Sequence, residues 1–146
     1  MTIAVRELGL ADTMMVEELL DTCRPGWQDA LAPGASGPTA FTADPRTFIF
    51  GAYDDQVPVG WVWGTHIRRP DGRLMSYVHQ LDVVESHRRS GVATTLMEAA
   101  IDLARRDGSG RLWLMTQEEN AGARSLYESL GAADDGGASI LYRWPL

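Results

Sequence analysis

The sequence predicts an α/β domain folded around one mixed sheet. Three observations carry that expectation. Strand-like and helix-like segments follow one another in the order β-α, three strands, then α-β-α-β. The longest helical segment, residues 91–107, repeats Val92, Leu96, Ala99 and Leu103 at four-, three- and four-residue spacing. No internal repeat, low-complexity tract or linker divides the chain, so residues 1–146 are read as a single domain.

Each element has its own signal. Residues 3–7 read as a short first strand. Asp12 is placed to cap a helix reaching about Cys23, with Met15, Val16, Leu19, Leu20 and Cys23 as its apolar stripe. Residues 24–45 are rich in Gly, Pro, Ala and Ser and are expected to be irregular or partly helical, the composition of a binding loop or lid. Residues 47–53 and 57–67 are β-rich and form a hairpin across Asp54-Asp55-Gln56. Pro70-Asp71-Gly72 is a turn, and residues 73–84 make the next strand. Gly108-Ser109-Gly110 ends the long helix. Residues 111–116 then read as a strand, 121–130 as a helix stopped by Gly131, and 139–144 as a final strand.

Composition narrows the function. The formal charge is −7, from 13 basic and 20 acidic residues, which argues against nucleic acid, whose phosphates need clustered basic side chains. The same charge would concentrate a cationic substrate, and it also serves solubility. No apolar run approaches a membrane span, and the N-terminus lacks a basic segment followed by an apolar one. The single cysteine, Cys23, allows no internal disulfide and suits a reducing compartment. The expectation is a cytoplasmic protein without a membrane partner and without a metal.

The chemistry is concentrated in Ser86-His87-Arg88-Arg89-Ser90-Gly91-Val92-Ala93, between a strand and the long helix. Gly91 permits a tight turn near a ligand, and Ala93 keeps the first helical turn small. The helix start offers unpaired N–H groups and the positive end of its dipole to an anion such as a pyrophosphate. Arg88 and Arg89 can add charge-assisted bonds. A solvent-facing loop with an ordinary turn glycine would look the same in this segment alone.

Arg88-Arg89-Ser90-Gly91-Val92-Ala93 resembles the R/Q-x-x-G-x-G/A signature of the GNAT acetyltransferases. Leu81-Asp82-Val83 resembles the family's fourth strand, and Leu96 and Ala100 sit on the expected helix. Asn120-Ala121-Gly122-Ala123-Arg124-Ser125-Leu126-Tyr127-Glu128-Ser129-Leu130-Gly131 resembles the family's N-x-x-A-x-x-L-Y-x-x-x-G block. The resemblance implies the GNAT fold: a single mixed, mostly antiparallel sheet with splayed central strands, flanked by helices on both faces. It implies acetyl-CoA as cosubstrate. The pyrophosphate would rest on the amides of Arg89 to Ala93, with Arg88 and Thr94 beside them. Pantetheine would run along Leu81, Asp82 and Val83 like an added strand, and an N–H there would polarise the thioester carbonyl. Asn120 matches a polar cofactor contact, and Tyr127 the proton donor to the thiolate; on helix spacing alone Tyr127 could instead be core.

An amine attacking a thioester directly needs no enzyme nucleophile, only a proton off the ammonium and one onto the thiolate. His79 has the best intrinsic pKa for the first task; Glu85 and Asp82 rank behind it, and a water chain is the other route. Simple alternation puts Tyr77, His79 and Leu81 on one face and Val78, Gln80 and Asp82 on the other, unless a bulge intervenes.

The run from Tyr77 to Thr94, and Thr47-Phe48-Ile49 after an irregular segment, resemble the small aminoglycoside 3-N-acetyltransferases. The implied acceptor is then an aminoglycoside and the implied role antibiotic resistance. Gln80 departs from the carboxylate those enzymes carry, and an amide can neither act as base nor pair ionically with an ammonium. Asp29, Asp44, Asp54, Glu118 and Glu119 are loop acids that could line a cationic cleft, and Trp27, Trp61 and Trp63 could wall it, although Trp61 and Trp63 at period 2 read first as core. Other readings are a different small amine, polyamine or protein amine, and a CoA-binding module without turnover. Whether the chain forms a homodimer is open.

Overall fold

The computed structural model describes residues 1–31, 37–137 and 140–146. They fall into two units, Met1–Met115 and Thr116–Leu146. The first holds a five-stranded sheet in the order β1-β2-β3-β4-β5. Its strands are β1 (Ile3–Glu7), β2 (Thr47–Asp54), β3 (Val57–Arg68), β4 (Leu74–Val83) and β5 (Leu112–Trp113). The first four pair antiparallel in sequence order, and β5 joins β4 in parallel. This is the mixed, mostly antiparallel sheet that the resemblance implies.

The helices α1 (Thr13–Cys23) and α2 (Pro38–Ala43) precede β2, and α3 (Val92–Arg106) links β4 to β5. Strand alternation sorts the core into two layers. Val16 and Leu19 of α1 bury against Ile49, Tyr53 and Trp61, with Met15, Leu20, Cys23, Phe41 and Trp63 packed around them. Phe48, Phe50 and Ala52 point the other way, toward the face covered by α3, whose Val92, Leu96, Met97, Ala100 and Leu103 are buried. Each Val, Leu, Ile, Phe or Met among them contributes about 1.5–3 kcal/mol when fully removed from water.

Three local expectations change. Asp12 stands at the start of α1, but its carboxylate accepts from the Gly9 N–H (2.9 Å) and closes the 3-10 turn Leu10–Asp12 instead. The strand expected over 111–116 shortens to Leu112–Trp113, because only Ser76 and Tyr77 of β4 face it in register. The strand expected over 139–144 is not seen: Ser139 lies outside the described residues, and residues 140–146 carry no strand pairing. Within the expected loop 24–45, Trp27–Ala30 forms a 3-10 turn and Pro38–Ala43 a short helix, while residues 32–36 lie outside the described residues.

In the second unit, α4 (Ala121–Ser129) matches the expected helix. Gly131, at φ 90°, follows it in the left-handed conformation that ends helices.

Candidate functional site: the free edge of β4 and its phosphate loop

β4 is held on one side along its length by β3, but on the other only over its first residues, by the Gly110 N–H donating to the Leu74 carbonyl (3.0 Å) and by β5 at Ser76 and Tyr77. Beyond Tyr77 its outer edge has no strand partner among the described residues, so that, the Val83 carbonyl apart, the backbone there is open to an extended ligand.

The edge is shaped by a bulge. Trp63 faces Gln80 and Gly64 faces Val78, so His79 is an extra residue with no partner of its own on β3. Gly64 is required opposite it: a β-carbon there would stand 2.0 Å from the Tyr77 carbonyl oxygen. The bulge overturns the alternation expected from sequence. Gln80 and Asp82 lie on the Trp61–Trp63 side, where the Trp63 indole N–H donates to Gln80 Oε1 (3.1 Å) and the Trp61 N–H to Asp82 Oδ2 (2.8 Å). His79 shares that side, its ring stacked on Trp63 at 4.7 Å, with Tyr77 edge-on at 5.5 Å. Tyr77 in turn meets Trp113 at 4.2 Å. An aromatic strip thus crosses β3, β4 and β5, with exposed His79 at its centre and two polar side chains beside it.

Trp61 is core, 3% exposed, so its hydrogen bond fixes Asp82 inward. Burial, and then the Asp82 carboxylate, push the Cys23 thiol up to about 12, which leaves it protonated and unreactive. Glu85 begins the 3-10 turn Glu85–His87 beyond the strand and is exposed.

The turn after β4 has a backbone shape that can cradle an anion. Arg89 (φ 58°) and Gly91 (φ 86°) both take left-handed conformations immediately before α3. Such alternation turns successive N–H groups toward one concavity. No side chain among the described residues caps α3, so the N–H groups of Val92, Ala93 and Thr94 are available to a ligand. A β-carbon on Gly91 would meet nothing within 4 Å, so the space above it is open.

The surrounding side chains brace the cradle. Arg88 Nε donates to the Val83 carbonyl (3.0 Å), tying its guanidinium back to the strand, whereas the Arg89 guanidinium makes no hydrogen bond or ion pair among the described residues. Ser90 Oγ donates to the His87 carbonyl. His87 Nε2 meets Asp54 Oδ2 at 2.9 Å, and Asp54 Oδ1 accepts from the Thr2 N–H at 3.0 Å. Asp54, the last residue of β2, therefore latches the loop to the hairpin, and the His87 contact, then the Thr2 N–H, hold its carboxyl below the ordinary 3.8.

Sequence reasoning missed this latch, because 33 residues separate its partners. Asp54 and Asp44, offered as cleft acids, are committed elsewhere: Asp44 takes a two-point contact from Arg46 at 3.1 and 2.9 Å. Trp27 donates its N–H to Asp21 on α1 (2.8 Å).

In the second unit, Asn120 caps α4, its Oδ1 accepting from the Ala123 N–H at 3.1 Å. Tyr127 lies half-buried in the same helix. Glu118 and Glu119 are exposed ahead of it.

The profile described as "Acetyltransferase (GNAT) family" matches residues 13–132. Streptothricin acetyltransferase of Streptomyces lavendulae is 32% identical over 120 residues, 79% of this chain and 59% of that protein. N-alpha-acetyltransferase 30 of Schizosaccharomyces pombe is 32% identical over 84 residues, 58% of this chain and 56% of that protein. The chain thus spans less than two thirds of either relative.

Among solved structures, an aminoglycoside acetyltransferase from an uncultured soil metagenomic sample superposes with a TM-score of 0.83 at 22% identity, over 100% of this chain and 99% of that one. The aminoglycoside N-acetyltransferase AAC(6′)-Iy in complex with CoA gives 0.78 at 19% identity, over 99% and 96%. At these identities the two structures speak for the fold.

Proposed function

From the premise that the chain belongs to the GNAT acetyltransferase family, we propose that it transfers an acetyl group from acetyl-CoA directly to a primary amine of an aminoglycoside-class amino sugar, as one domain spanning residues 1–146. The observation that carries the reading is the uncapped, left-handed cradle of residues 88–94, following a strand whose outer edge is free. A doubly charged pyrophosphate matches that cradle: open space over Gly91, free amides, and the unpaired Arg89.

The thioester supplies the acyl group. Around it, an N–H of Leu81, Asp82 or Val83 would stabilise the developing oxyanion. His79 is the leading base, since the bulge exposes it beside the free edge; Glu85 ranks behind it, and Asp82 behind both because Trp61 holds its carboxylate inward. Tyr127 is the proposed proton donor to the thiolate and Asn120 a cofactor contact, both on the match to the family's second block. A phenol titrating near 10 suits a thiol leaving group.

Three observations favour an amino-sugar acceptor. The His79–Trp63–Tyr77–Trp113 strip offers ring faces, Gln80 offers its amide N–H groups, and the charge of −7 draws a polycation. Streptothricin acetyltransferase and the aminoglycoside acetyltransferase neighbours accord with it. Attack at the 3-N position is the finer part of the proposal. A second reading, transfer to a polypeptide N-terminal amine, is favoured by the N-alpha-acetyltransferase relative.

Thiol release from acetyl-CoA, measured over aminoglycosides, streptothricin, polyamines and short peptides, separates them. Rapid turnover on an aminoglycoside, with NMR placing the acetyl group on the 3-amine, is expected. Turnover confined to peptides would replace the acceptor, and silence with CoA-induced stabilisation would leave a binding module.

A further inference from the structure

Where β4 begins, a cleft of about 430 Å³ opens that acyl transfer does not use. It lies between the β3–β4 turn and the segment linking α3 to β5, and Arg68, Arg69, Arg73 and Arg111 line it with Asp107 as the single acid. The chain has no lysine, so all 13 of its basic residues are arginines, and four of them converge here on a protein of net charge −7.

Little cancels those charges. Asp107 is engaged by His66, its Oδ2 lying 3.1 Å from Nε2 of that ring, whose side chain is only 10% exposed. His66 Nδ1 continues the chain to the buried Ser76 Oγ (2.7 Å), and Ser76 meets Ser109 (2.5 Å), so the carboxylate is anchored from behind. Arg68 donates to the Gly72 carbonyl (2.8 Å), which orients its guanidinium without neutralising it. Asp71 stands 3.6 and 3.7 Å from Arg69 and Arg73, too far for good hydrogen bonds, in exposed pairs that water screens. Arg111 makes no side-chain hydrogen bond or ion pair among the described residues.

We propose that this cleft binds a small molecule carrying two or more phosphate groups. Guanidinium forks match phosphate oxygens two at a time, and arginine stays charged at every physiological pH. One carboxylate would use a single fork, whereas four arginines around a cavity of small-molecule size call for several anionic groups. The site is separate from the phosphate loop. The two lie at opposite ends of the ten-residue β4, about 30 Å apart at roughly 3.3 Å per residue.

Calorimetric titration with tripolyphosphate tests it. Against the wild-type chain, Arg73→Glu/Arg111→Glu should weaken binding at least tenfold, Arg89→Glu should leave the cleft's binding within twofold, and Asp107→Asn should tighten it severalfold by removing the acid that lines the cleft. Because both double-variant positions are exposed, melting should stay near wild type; Arg73→Gln/Arg111→Gln repeats the test without charge reversal. Affinity lost in Arg89→Glu but kept in both double variants would assign the anion to the phosphate loop and overturn the proposal. Binding unchanged in all variants, or no stronger than that of sulfate, would overturn it too.

Discussion

The two halves of β4 do different work although they are one strand. Its first half is zipped: Ser76 and Tyr77 pair with both β3 and β5, and the Ser76 side chain is fully buried beneath the His66–Asp107 pair. Its second half is open: His79 bulges out, Gln80 and Asp82 are held by indole N–H groups, and the outer edge is free. Satisfied ladder bonds on both sides make a rigid frame, while one missing ladder creates a place where a ligand's backbone-like groups can substitute. The bulge then decides which side chains look into that place.

The largest expected effect breaks the open half at its end. Gly91→Glu puts a bulky carboxylate into the left-handed position beneath the cradle, and CoA affinity measured by calorimetry should fall at least about 100-fold as repulsion and lost amide contacts combine. Unchanged affinity would mean that the phosphate loop is elsewhere. Tyr127→Phe should lower kcat by about 100-fold, the lower range for a general acid, while acetyl-CoA affinity holds; equal turnover in the two proteins would remove Tyr127 from the reaction.

Gly64→Ala tests whether the two halves depend on each other. A β-carbon 2.0 Å from the Tyr77 carbonyl and 2.7 Å from the Phe48 ring cannot be accommodated without moving the bulge. Denaturation should show a loss of about 1–3 kcal/mol, with a rise in KM for the amine if His79 and Gln80 shift with it. A smaller effect is expected of Gln80→Glu. A carboxylate can still accept from the Trp63 N–H and adds a charge facing the acceptor, so KM for an aminoglycoside should drop severalfold with kcat little changed. A KM that stays the same would place the acceptor away from the aromatic strip.

The smallest effect concerns pH. Asp54 has a folded-state carboxyl below the ordinary 3.8. Its contribution to stability is therefore complete above that value and is lost as pH falls toward the lower folded one. Asp54→Asn should flatten that part of the acid limb of the melting profile; a limb identical to wild type would show that the latch is not coupled to folding.

Much of this was legible in residues alone. The helix Val92–Arg106 follows from periodicity, which reports how one segment repeats its apolar side chains. The left-handed Gly91 and the uncapped helix start follow from a glycine where a Ser, Thr or Asp cap would otherwise stand. What depended on partners was not legible. Residues 111–116 and 140–144 are apolar enough for strands, yet a strand exists only where another chain segment completes its hydrogen bonds, and the described residues show that for Leu112–Trp113 alone.

The bulge at His79 is the clearest case. Sequence determined that a histidine, a glutamine and an aspartate would stand on the fourth strand; only the tertiary structure decided that all three share one face. The physical reason lies across the sheet, at Gly64, whose missing side chain lets the Tyr77 carbonyl approach and gives β4 room for one residue more than β3. Likewise the family signature marked Arg88 and Arg89 together, and folding separated them, one tied back to Val83 and the other without a side-chain partner among the described residues. Local chemistry names the groups a site can use, but the pairing of distant segments sets which of them remain free to use.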